Sequence, residues 1–406
     1  MTRFRTARPR LASERGFSII EMLISTGIMV LVTGAIFGML DPATGAFNTQ
    51  PEVSDLQQRL RVSVDTLQKD LVMAGAGTYT GSSAGALYNY FAPIMPYRGM
   101  GTDSDPAKGV YYRPDAISLV YIPPTPSQTT ISDPMPPNSA EIKVEPQPNC
   151  PGNKLNQLCG FDTGMRVLIF DADGNWEPFT VTQVQDAAAH LQHRGQPFDV
   201  TYAAGSYVTQ VRTANYFLKT DLPSKTFQLM YYDGYDTEVP VVDNVVKLEF
   251  EYWGDPNPPE LLPGKCLTAE CPGPWTTYGP KPPALGVKST AGWPDGENCL
   301  FAVQDGRHVP RLAPLGGGGL AQAKLSPEML QDGPWCPNAD SQDRYDADLL
   351  RIRRVRATLR VQVSHEWLRG PSALLFKYPG NASPSKFVPD QEIRFDVSPR
   401  NMNLGR

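Results

Sequence analysis

The sequence predicts an α+β protein in which a long N-terminal hydrophobic helix packs on an antiparallel, β-rich globular body. Two features predict the helix: residues 17–40 form one apolar run, and residues 51–77 carry apolar side chains at helical spacing. The body is predicted by short stretches of alternating apolar and polar residues that recur without helical stretches between them. The chain has 406 residues, of which 41% are hydrophobic and 19% charged, so it is long enough to bury a large core. Its net charge of −5 does not favour a general nucleic-acid binder.

The apolar run from Phe17 to Leu40 is long enough to cross a membrane. It contains 24 residues with Glu21 as its only charge, and a helix of that length extends about 36 Å. The 16 residues before it contain one acid, Glu14, and five arginines: Arg3, Arg5, Arg8, Arg10 and Arg15. Because positive charge stays on the cytoplasmic side of a spanning segment, we expect everything after Leu40 to be exported. A carboxylate inside such a segment costs up to about 3 kcal/mol and usually marks a partner.

A secretory signal and an uncleaved signal anchor are the two ordinary explanations of this N-terminus. The apolar run is too long for a signal core, and "MLDPATGAF" after it is a weak cleavage site. An uncleaved anchor accounts for the length but leaves Glu21 and the Gly16-Phe17 junction unexplained.

A second helical pattern follows the apolar run. Asp41-Pro42 and Gly45 predict an interruption, after which Pro51 suits a first helical turn. The predicted apolar stripe consists of Val53, Leu56, Leu60, Val64, Leu67 and Leu71, and Gly75 and Gly77 predict the C-terminal end.

Eight strands are predicted after the helices. They are Ala116–Ile122, Met165–Phe170, Glu177–Val184, Asn215–Lys219, Thr226–Tyr232, Val241–Tyr252, Ile352–Val363 and Glu392–Val397. The dipeptides Asp173-Gly174 and Asp233-Gly234 predict hairpin turns.

The six cysteines favour disulfides. Residues 254–338 contain 28 Pro or Gly among 85 residues, and such a stretch needs cross-links if it is to be ordered. An even number of cysteines in an exported chain favours oxidation. From proximity alone we favour the pairs Cys150–Cys159, Cys266–Cys271 and Cys299–Cys336. The alternative is a four-cysteine zinc site formed by 266, 271, 299 and 336, which an oxidising compartment disfavours.

No catalytic or metal-binding motif is recognised, so we expect neither an enzyme nor a cofactor. "DADGNWE" (171–177) has its glycine at the wrong position for a calcium loop, and "GGGGL" (316–320) lacks the Lys-Ser/Thr of a phosphate loop. The histidines form no protease motif, and His190 and His193 are expected at the surface of a hairpin-like region.

The stretch "RGFSIIEMLIS" (15–25) resembles the processing signal of type IV prepilins and pseudopilins: a basic leader, Gly, Phe, and Glu four residues beyond that Phe. The resemblance implies that a prepilin peptidase cuts between Gly16 and Phe17 and methylates the new N-terminus of Phe17. It also implies that Glu21 governs assembly by pairing with the N-terminal amine of a neighbouring subunit. At 4 Å and an effective dielectric constant near 20, such a pair attracts by about 4 kcal/mol before desolvation. Many major pilins have a mid-helix proline that the run 17–40 lacks.

Further stretches are similar to PilW-type minor pilins and, more distantly, to J-type pseudopilins. They are "LQQRLRVSVDTLQKDLVMAGAG" with its DL-x-x-AG ending, "VVDNVVKLEFEYW", "LLRIRRVRATLRVQV" and "IRFDVSPRNMNL". The resemblance implies a pilin-like fold with six parts: a removed leader (1–16), a transmembrane and filament-core helix (17–40), the second half of the helix (41–77), a β-rich head (78–253), a Pro/Gly/Cys-rich insertion (254–340) and strands that complete the head (341–406).

The function that the resemblance implies is that of a minor pilin that primes a type IV pilus or sits at its tip. The alternatives are an adhesive or DNA-capturing tip module and a large pseudopilin of a type II secretion system. The implied partners are the prepilin peptidase, other minor and major pilins, the inner-membrane assembly platform and a surface ligand or DNA. The implied location is the bacterial inner membrane, with the head in the periplasm, and then the pilus on the cell surface.

Overall fold

The computed structural model describes residues 16–78, 86–96, 112–147, 157–221, 223, 226–262, 275–316, 321–365, 368–369 and 388–403, with backbone only at 40–48 and 112–114. The chain divides into two compact units, Met1–Asp55 and Leu56–Arg406. The described part combines an apolar N-terminal helix with an antiparallel, β-rich body, which agrees with the α+β class.

Helix α1 extends from Ile19 to Met73 without interruption. The predicted break at Asp41-Pro42 and Gly45 is therefore wrong. A proline removes a single N–H donor from the helix, and long helical sequences on both sides outweigh that loss. In the first unit, Ile19–Met39 is apolar and long enough to cross a membrane, and none of it is buried. A membrane anchor and a signal sequence both have these properties.

In the second unit, α1 buries one stripe of side chains. Leu56, Leu60, Leu67 and Leu71 are buried as predicted, whereas Val53 and Val64 are half-buried. Two polar residues that the apolar pattern missed, Ser63 and Asp70, lie in the same buried stripe at helical spacing.

The body contains twenty strands among the described residues. In chain order they are β1 Ile94–Pro96, β2 Tyr112–Tyr121, β3 Gln128–Thr130, β4 Glu141–Lys143, β5 Arg166–Phe170, β6 Trp176–Thr180, β7 Gln183–Gln185, β8 His190–Gln192, β9 Tyr207–Gln210, β10 Arg212–Asp221, β11 Thr226–Tyr232, β12 Glu238–Asp243, β13 Val245–Gly254, β14 Phe301–Gln304, β15 Arg307–Pro310, β16 Ala323–Leu325, β17 Trp335–Cys336, β18 Tyr345–Asp346, β19 Ile352–Val361 and β20 Gln391–Val397. Short 3-10 helices occupy Leu87–Asn89, Asp186–Ala188, Ala347–Arg351 and Arg400–Met402.

These strands form four sheets and two separate hairpins. Sheet A has the order β1-β2-β10-β11-β12, sheet B has β16-β13-β19-β20, sheet C has β3-β9-β5-β6 and sheet D has β4-β8-β7. The hairpins are β14-β15 and β17-β18. Every pairing between these strands is antiparallel.

Two predicted strands are divided in the structure. The predicted strand Val241–Tyr252 consists of the end of β12 in sheet A and most of β13 in sheet B. Asn244 lies between them with φ of 60°, a left-handed conformation that ends one strand and redirects the chain into the next sheet. The predicted strand Glu177–Val184 is likewise divided between β6 and β7.

Both predicted Asp-Gly turns are present. Asp173-Gly174 joins β5 to β6, and Asp233-Gly234 joins β11 to β12. Gly174 and Gly234 have φ of 95° and 83°, which glycine adopts without a steric penalty.

The described parts of the Pro- and Gly-rich region are packed onto the sheets. They contain hairpin β14-β15, and β16 pairs with β13 at the edge of sheet B. Arg351, which is 1% exposed, donates to the carbonyl oxygens of Asp255, Pro256, Asn257 and Ala313 at 2.7–3.5 Å. One buried guanidinium therefore fastens the start of this region, and a residue further along it, to the segment just before β19.

The hydrophobic core between sheets C and D contains a histidine that was expected at the surface. His193 has no exposed surface, its Nδ1 lies 2.9 Å from the carbonyl oxygen of Gln196, and its ring packs against Phe179 and Phe198. Burial lowers the pKa of His193. The surface prediction was wrong because it relied on the polar residues next to His193 in the sequence, whereas His193 directly follows the buried end of β8. His190 is half-buried and lies 3.7 Å from a Glu141 carboxylate oxygen.

Candidate functional site

The residues of the predicted processing signal lie at the start of α1 and just before it. Gly16 and Phe17 precede the helix and are exposed, and Phe17 is 86% accessible. Helix α1 begins two residues later, with Ser18 as its N-cap. The bond between Gly16 and Phe17 therefore lies outside the helix.

Glu21 caps its own helix in the single chain. Its Oε2 accepts a hydrogen bond of 3.0 Å from the backbone N–H of Ser18, and the Ser18 hydroxyl accepts one of 3.2 Å from the N–H of Ile20. This is a capping box, in which two N–H groups without helical partners are satisfied reciprocally. The spacing Ser18-x-x-Glu21 is visible in the sequence, so this second role could have been found without the structure.

The rest of the spanning segment presents apolar side chains on all sides. Its exposed large side chains include Leu23, Ile28, Leu31 and Phe37, each at least 56% accessible. The hydroxyl groups of Ser25 and Thr26 donate hydrogen bonds to backbone carbonyl oxygens of the preceding turn. The segment therefore offers a lipid or a neighbouring helix an apolar surface, in which the hydroxyls of Ser25 and Thr26 are already hydrogen-bonded within the helix.

The cysteines that the structure describes are oxidised. Cys299 and Cys336 form a disulfide, which is the pair that proximity favoured, and it cross-links two segments of the Pro- and Gly-rich region that are 37 residues apart. Because their sulfur atoms are bonded to each other, these two residues are not zinc ligands. Cys159 is also disulfide-bonded. Cys150, Cys266 and Cys271 lie outside the described residues.

The C-terminal end of α1 is attached to sheet A by a buried carboxylate. Asp70 is 5% exposed and accepts hydrogen bonds from the hydroxyls of Tyr121 (3.0 Å) and Tyr216 (2.6 Å). Burial, followed by the charge of Asp70, raises the pKa of both tyrosines, which keeps them protonated donors. We call this group the Asp70 clasp.

Gly75 ends the helix in the same motif. It has φ of 78°, and its N–H donates to the carbonyl of Val120 in sheet A. A Cβ at this position would lie 2.9 Å from Cγ of Met402 and 3.2 Å from Cγ of Pro93. The aspartate and the glycine of "DL-x-x-AG" thus hold the end of α1 against sheet A and turn the chain out of the helix.

An open groove lies between sheet C and the segment around Asn338. Two adjoining pockets of about 290 and 520 Å³ share Asp199, Val200, Asn338 and Asp340. Glu177 also lines the groove, and burial raises its pKa to about 7 although Asp199 N–H and Tyr202 donate to it. Carboxylates, amides and the indoles of Trp176 and Trp293 give the groove a chemistry that suits polar or cationic ligands.

A second group of carboxylates resembles a metal site but is satisfied by protein groups. Ligand atoms of Asp332, Asp346 and Asp348 lie within 4.8 Å of one another. However, Asp348 forms an ion pair of 2.6 Å with Arg351, and Asp346 accepts from the backbone N–H groups of Gly333 and Asp348. We therefore assign no metal there.

The sequence singled out Asp70 only through a resemblance, and it did not single out Tyr121 or Tyr216 at all. The apolar stripe gave no reason to place a carboxylate in the core, and the partners of Asp70 lie 51 and 146 residues away in the chain.

A scan of the chain against models of protein families, and searches among curated proteins and among solved structures, found no match.

Proposed function

We propose that this chain is a pilin-like minor subunit of a type IV pilus, which primes assembly or sits at the filament tip. The observation that carries the proposal is the Gly16-Phe17 junction at the start of an unbroken helix, with Glu21 one turn inside it. Removal of residues 1–16 by a prepilin peptidase would give Phe17 a cationic amine, which the peptidase then methylates. No catalytic group is needed for this role.

The geometry of the first turn supports a switch of partners for Glu21. In the single chain, the carboxylate accepts from its own Ser18 N–H and remains exposed. In a filament, the Glu21 carboxylate would instead accept a hydrogen bond from the N-terminal amine of a neighbouring subunit. This amine is a stronger partner than the Ser18 N–H, because both the amine and the carboxylate are charged. Removing one member of such a buried pair typically costs about 3–5 kcal/mol.

The attachment of α1 within the second unit also supports the proposal. A subunit that is extracted from the inner membrane by its helix must transmit that movement to its head. The Asp70 clasp joins the helix to sheet A, and the leucines of the same stripe are buried, so the periplasmic head would follow the helix. The partners would be the other minor and major pilins and the inner-membrane assembly platform, and the final location would be the pilus.

The test separates the charge of Glu21 from its capping role. Glu21→Gln keeps an acceptor for the Ser18 N–H but removes the charge, whereas Glu21→Ala removes both. Each variant is expressed in the native host and followed with an antibody to the head in membrane and sheared-filament fractions. We expect both variants to be cut after Gly16, to accumulate in the membrane with a folded head, and to be missing from filaments. Wild-type incorporation of Glu21→Gln would contradict the charge-pairing role.

Intact-mass analysis of the mature chain tests the identity itself. We expect an N-methylated Phe17 at the N-terminus. A chain that begins at Met1 or beyond Leu40 would refute the proposal in favour of a signal anchor or a secretory signal.

The groove favours a second candidate function, an adhesive tip module. Its two indoles and several carboxylates form a recognition surface near the Cys299–Cys336 disulfide. Its acidic character favours a polar or cationic surface ligand over DNA. Filaments that form without this protein but fail to attach to surfaces would support the adhesive role, whereas loss of all filaments would support priming. Loss of protein secretion instead of pili would indicate a pseudopilin of a type II secretion system.

A further inference from the structure

A cavity lies between sheets A and C, on the face of sheet A opposite to helix α1. Strand alternation places Ser118 and Val120 of β2 on this face, together with their cross-strand partners Asn215 and Thr213 of β10. Tyr121 and Tyr216 point to the other face, where they bind Asp70. Sheet C closes the cavity with one face of the paired strands β5 and β6.

The cavity has a volume of about 250 Å³ and a mainly apolar lining. Its apolar and aromatic walls are formed by Met95, Val120, Leu168, Trp176, Pro178, Val211 and Tyr232. A dry cavity of about 150 Å³ is enough to bind benzene, so this one admits a larger apolar body. Two buried polar residues, Ser118 and Asn215, interrupt the lining on the side of sheet A.

One cation, Arg166, lines the cavity and lacks a carboxylate partner within the described part of the chain. Its Nη1 donates to the Thr180 hydroxyl at 3.2 Å, and its guanidinium carbon lies 5.0 Å from the centre of the Tyr235 ring. Asp233, a carboxylate whose charge acts on Arg166, has its Oδ1 occupied by the N–H groups of Tyr235, Asp236 and Thr237. Burial lowers the pKa of Arg166, because it removes water from around the charged guanidinium.

We propose that this cavity is a binding site for a small organic anion, whose apolar body fills the space between the sheets and whose carboxylate pairs with Arg166. A guanidinium presents two parallel N–H donors, which match the two oxygens of a carboxylate. The apolar walls select against sugars and metal ions, because those ligands need many more polar partners than the cavity supplies. The site is independent of the proposed role in a filament and requires no contact with another subunit.

The experiment uses the full-length protein in nonionic detergent with para-benzoylbenzoate as the probe. This anion has an apolar diaryl body and a photoreactive ketone, and its neutral amide, para-benzoylbenzamide, has the same shape. Calorimetric titration against a detergent blank measures both affinities. We expect the anion to bind roughly 10-fold to 100-fold more tightly than the amide, the range of a charge-assisted hydrogen bond.

Variants of Arg166 test whether the guanidinium causes this preference. Arg166→Gln should lower the affinity for the anion to that of the amide, and Arg166→Lys should be intermediate because it keeps the charge and loses the bidentate geometry. Arg194→Gln, at an exposed position, is the matched control and should bind both probes like the wild type. Equal affinities of wild type for the two probes, or undiminished binding of the anion to Arg166→Gln, would overturn the proposal.

Photo-crosslinking of the wild-type protein locates the site even if the Arg166 variants do not fold. After irradiation with para-benzoylbenzoate, mass spectrometry should find the label on cavity residues such as Met95, Val120 or Val211. Excess unlabelled diphenylacetate should compete for these positions. Labels confined to the spanning helix, or labels that do not respond to the competitor, would refute a specific site.

Discussion

Replacing Asp70 by alanine tests whether the clasp holds α1 to sheet A. The substitution removes an acceptor from the buried hydroxyls of Tyr121 and Tyr216, which are 4% and 0% exposed. Each hydrogen bond to a charged group contributes about 1.5–3 kcal/mol, and each buried hydroxyl left unsatisfied costs about 1–3 kcal/mol. The contribution of the hydrogen bond and the cost of the unsatisfied hydroxyl describe the same loss, so the two energies are not added. Alanine also favours the helix by a few tenths of a kcal/mol. We therefore expect Asp70→Ala to lower the free energy of unfolding by about 3–5 kcal/mol.

The assay is urea unfolding of the full-length protein in nonionic detergent, followed by tryptophan fluorescence. Asp65→Ala is the matched control, because Asp65 is an exposed aspartate on the same helix. It should change the free energy of unfolding by less than about 0.5 kcal/mol. Tyr216→Phe should cost about 1.5–3 kcal/mol because it removes one donor.

A double-mutant cycle isolates the clasp itself. Adding Tyr216→Phe to Asp70→Ala removes a hydroxyl that the first change left unsatisfied, so the double variant should be more stable than the sum of the two single losses predicts. We expect a coupling energy of about 1–3 kcal/mol. If Asp70→Ala is as stable as Asp65→Ala, or if the cycle gives no coupling, the clasp does not hold the helix.

Two further predictions concern the end of α1 and the groove. Gly75→Ala should destabilise the protein by about 1–3 kcal/mol more than Gly195→Ala. The two glycines have nearly the same positive φ, 78° and 77°, but an added Cβ would meet other atoms within 4 Å at Gly75 and none at Gly195. Equal losses of stability in urea unfolding would show that backbone strain alone matters. Burial raises the pKa of Glu177 to about 7 from 4.5, so the folded state binds more protons between these values. Stability should therefore fall as pH rises from about 4.5 to 7 and then become level. Glu177→Gln should reduce this slope, and an unchanged slope in unfolding experiments at several pH values would contradict the raised pKa.

Local patterns in the sequence determined several of the elements of this protein. The apolar run of 17–40 is helical from Ile19 onward, as its unbroken apolar pattern predicted. The strand Thr226–Tyr232 begins and ends as predicted, because both signals are local: its own alternating pattern predicts the strand, and the Asp-Gly turn directly after it predicts where it ends. The Cys299–Cys336 pair also agreed with the sequence, although proximity alone favoured it. The capping role of Glu21 was equally accessible, because it depends on a partner three residues away.

Tertiary structure decided what depends on residues that are distant in the chain. Asp70 is stable in the core only because Tyr121 and Tyr216 arrive there from two strands of sheet A. His193 is buried because it packs against the rings of Phe179 and Phe198, and no local sequence pattern predicted that contact. The cavity beside Arg166 exists because sheets A and C face each other, with each sheet supplying only part of its lining. A local pattern reports which face of an element is apolar, whereas the identity of the group on the other side follows only from how the sheets and the helix pack.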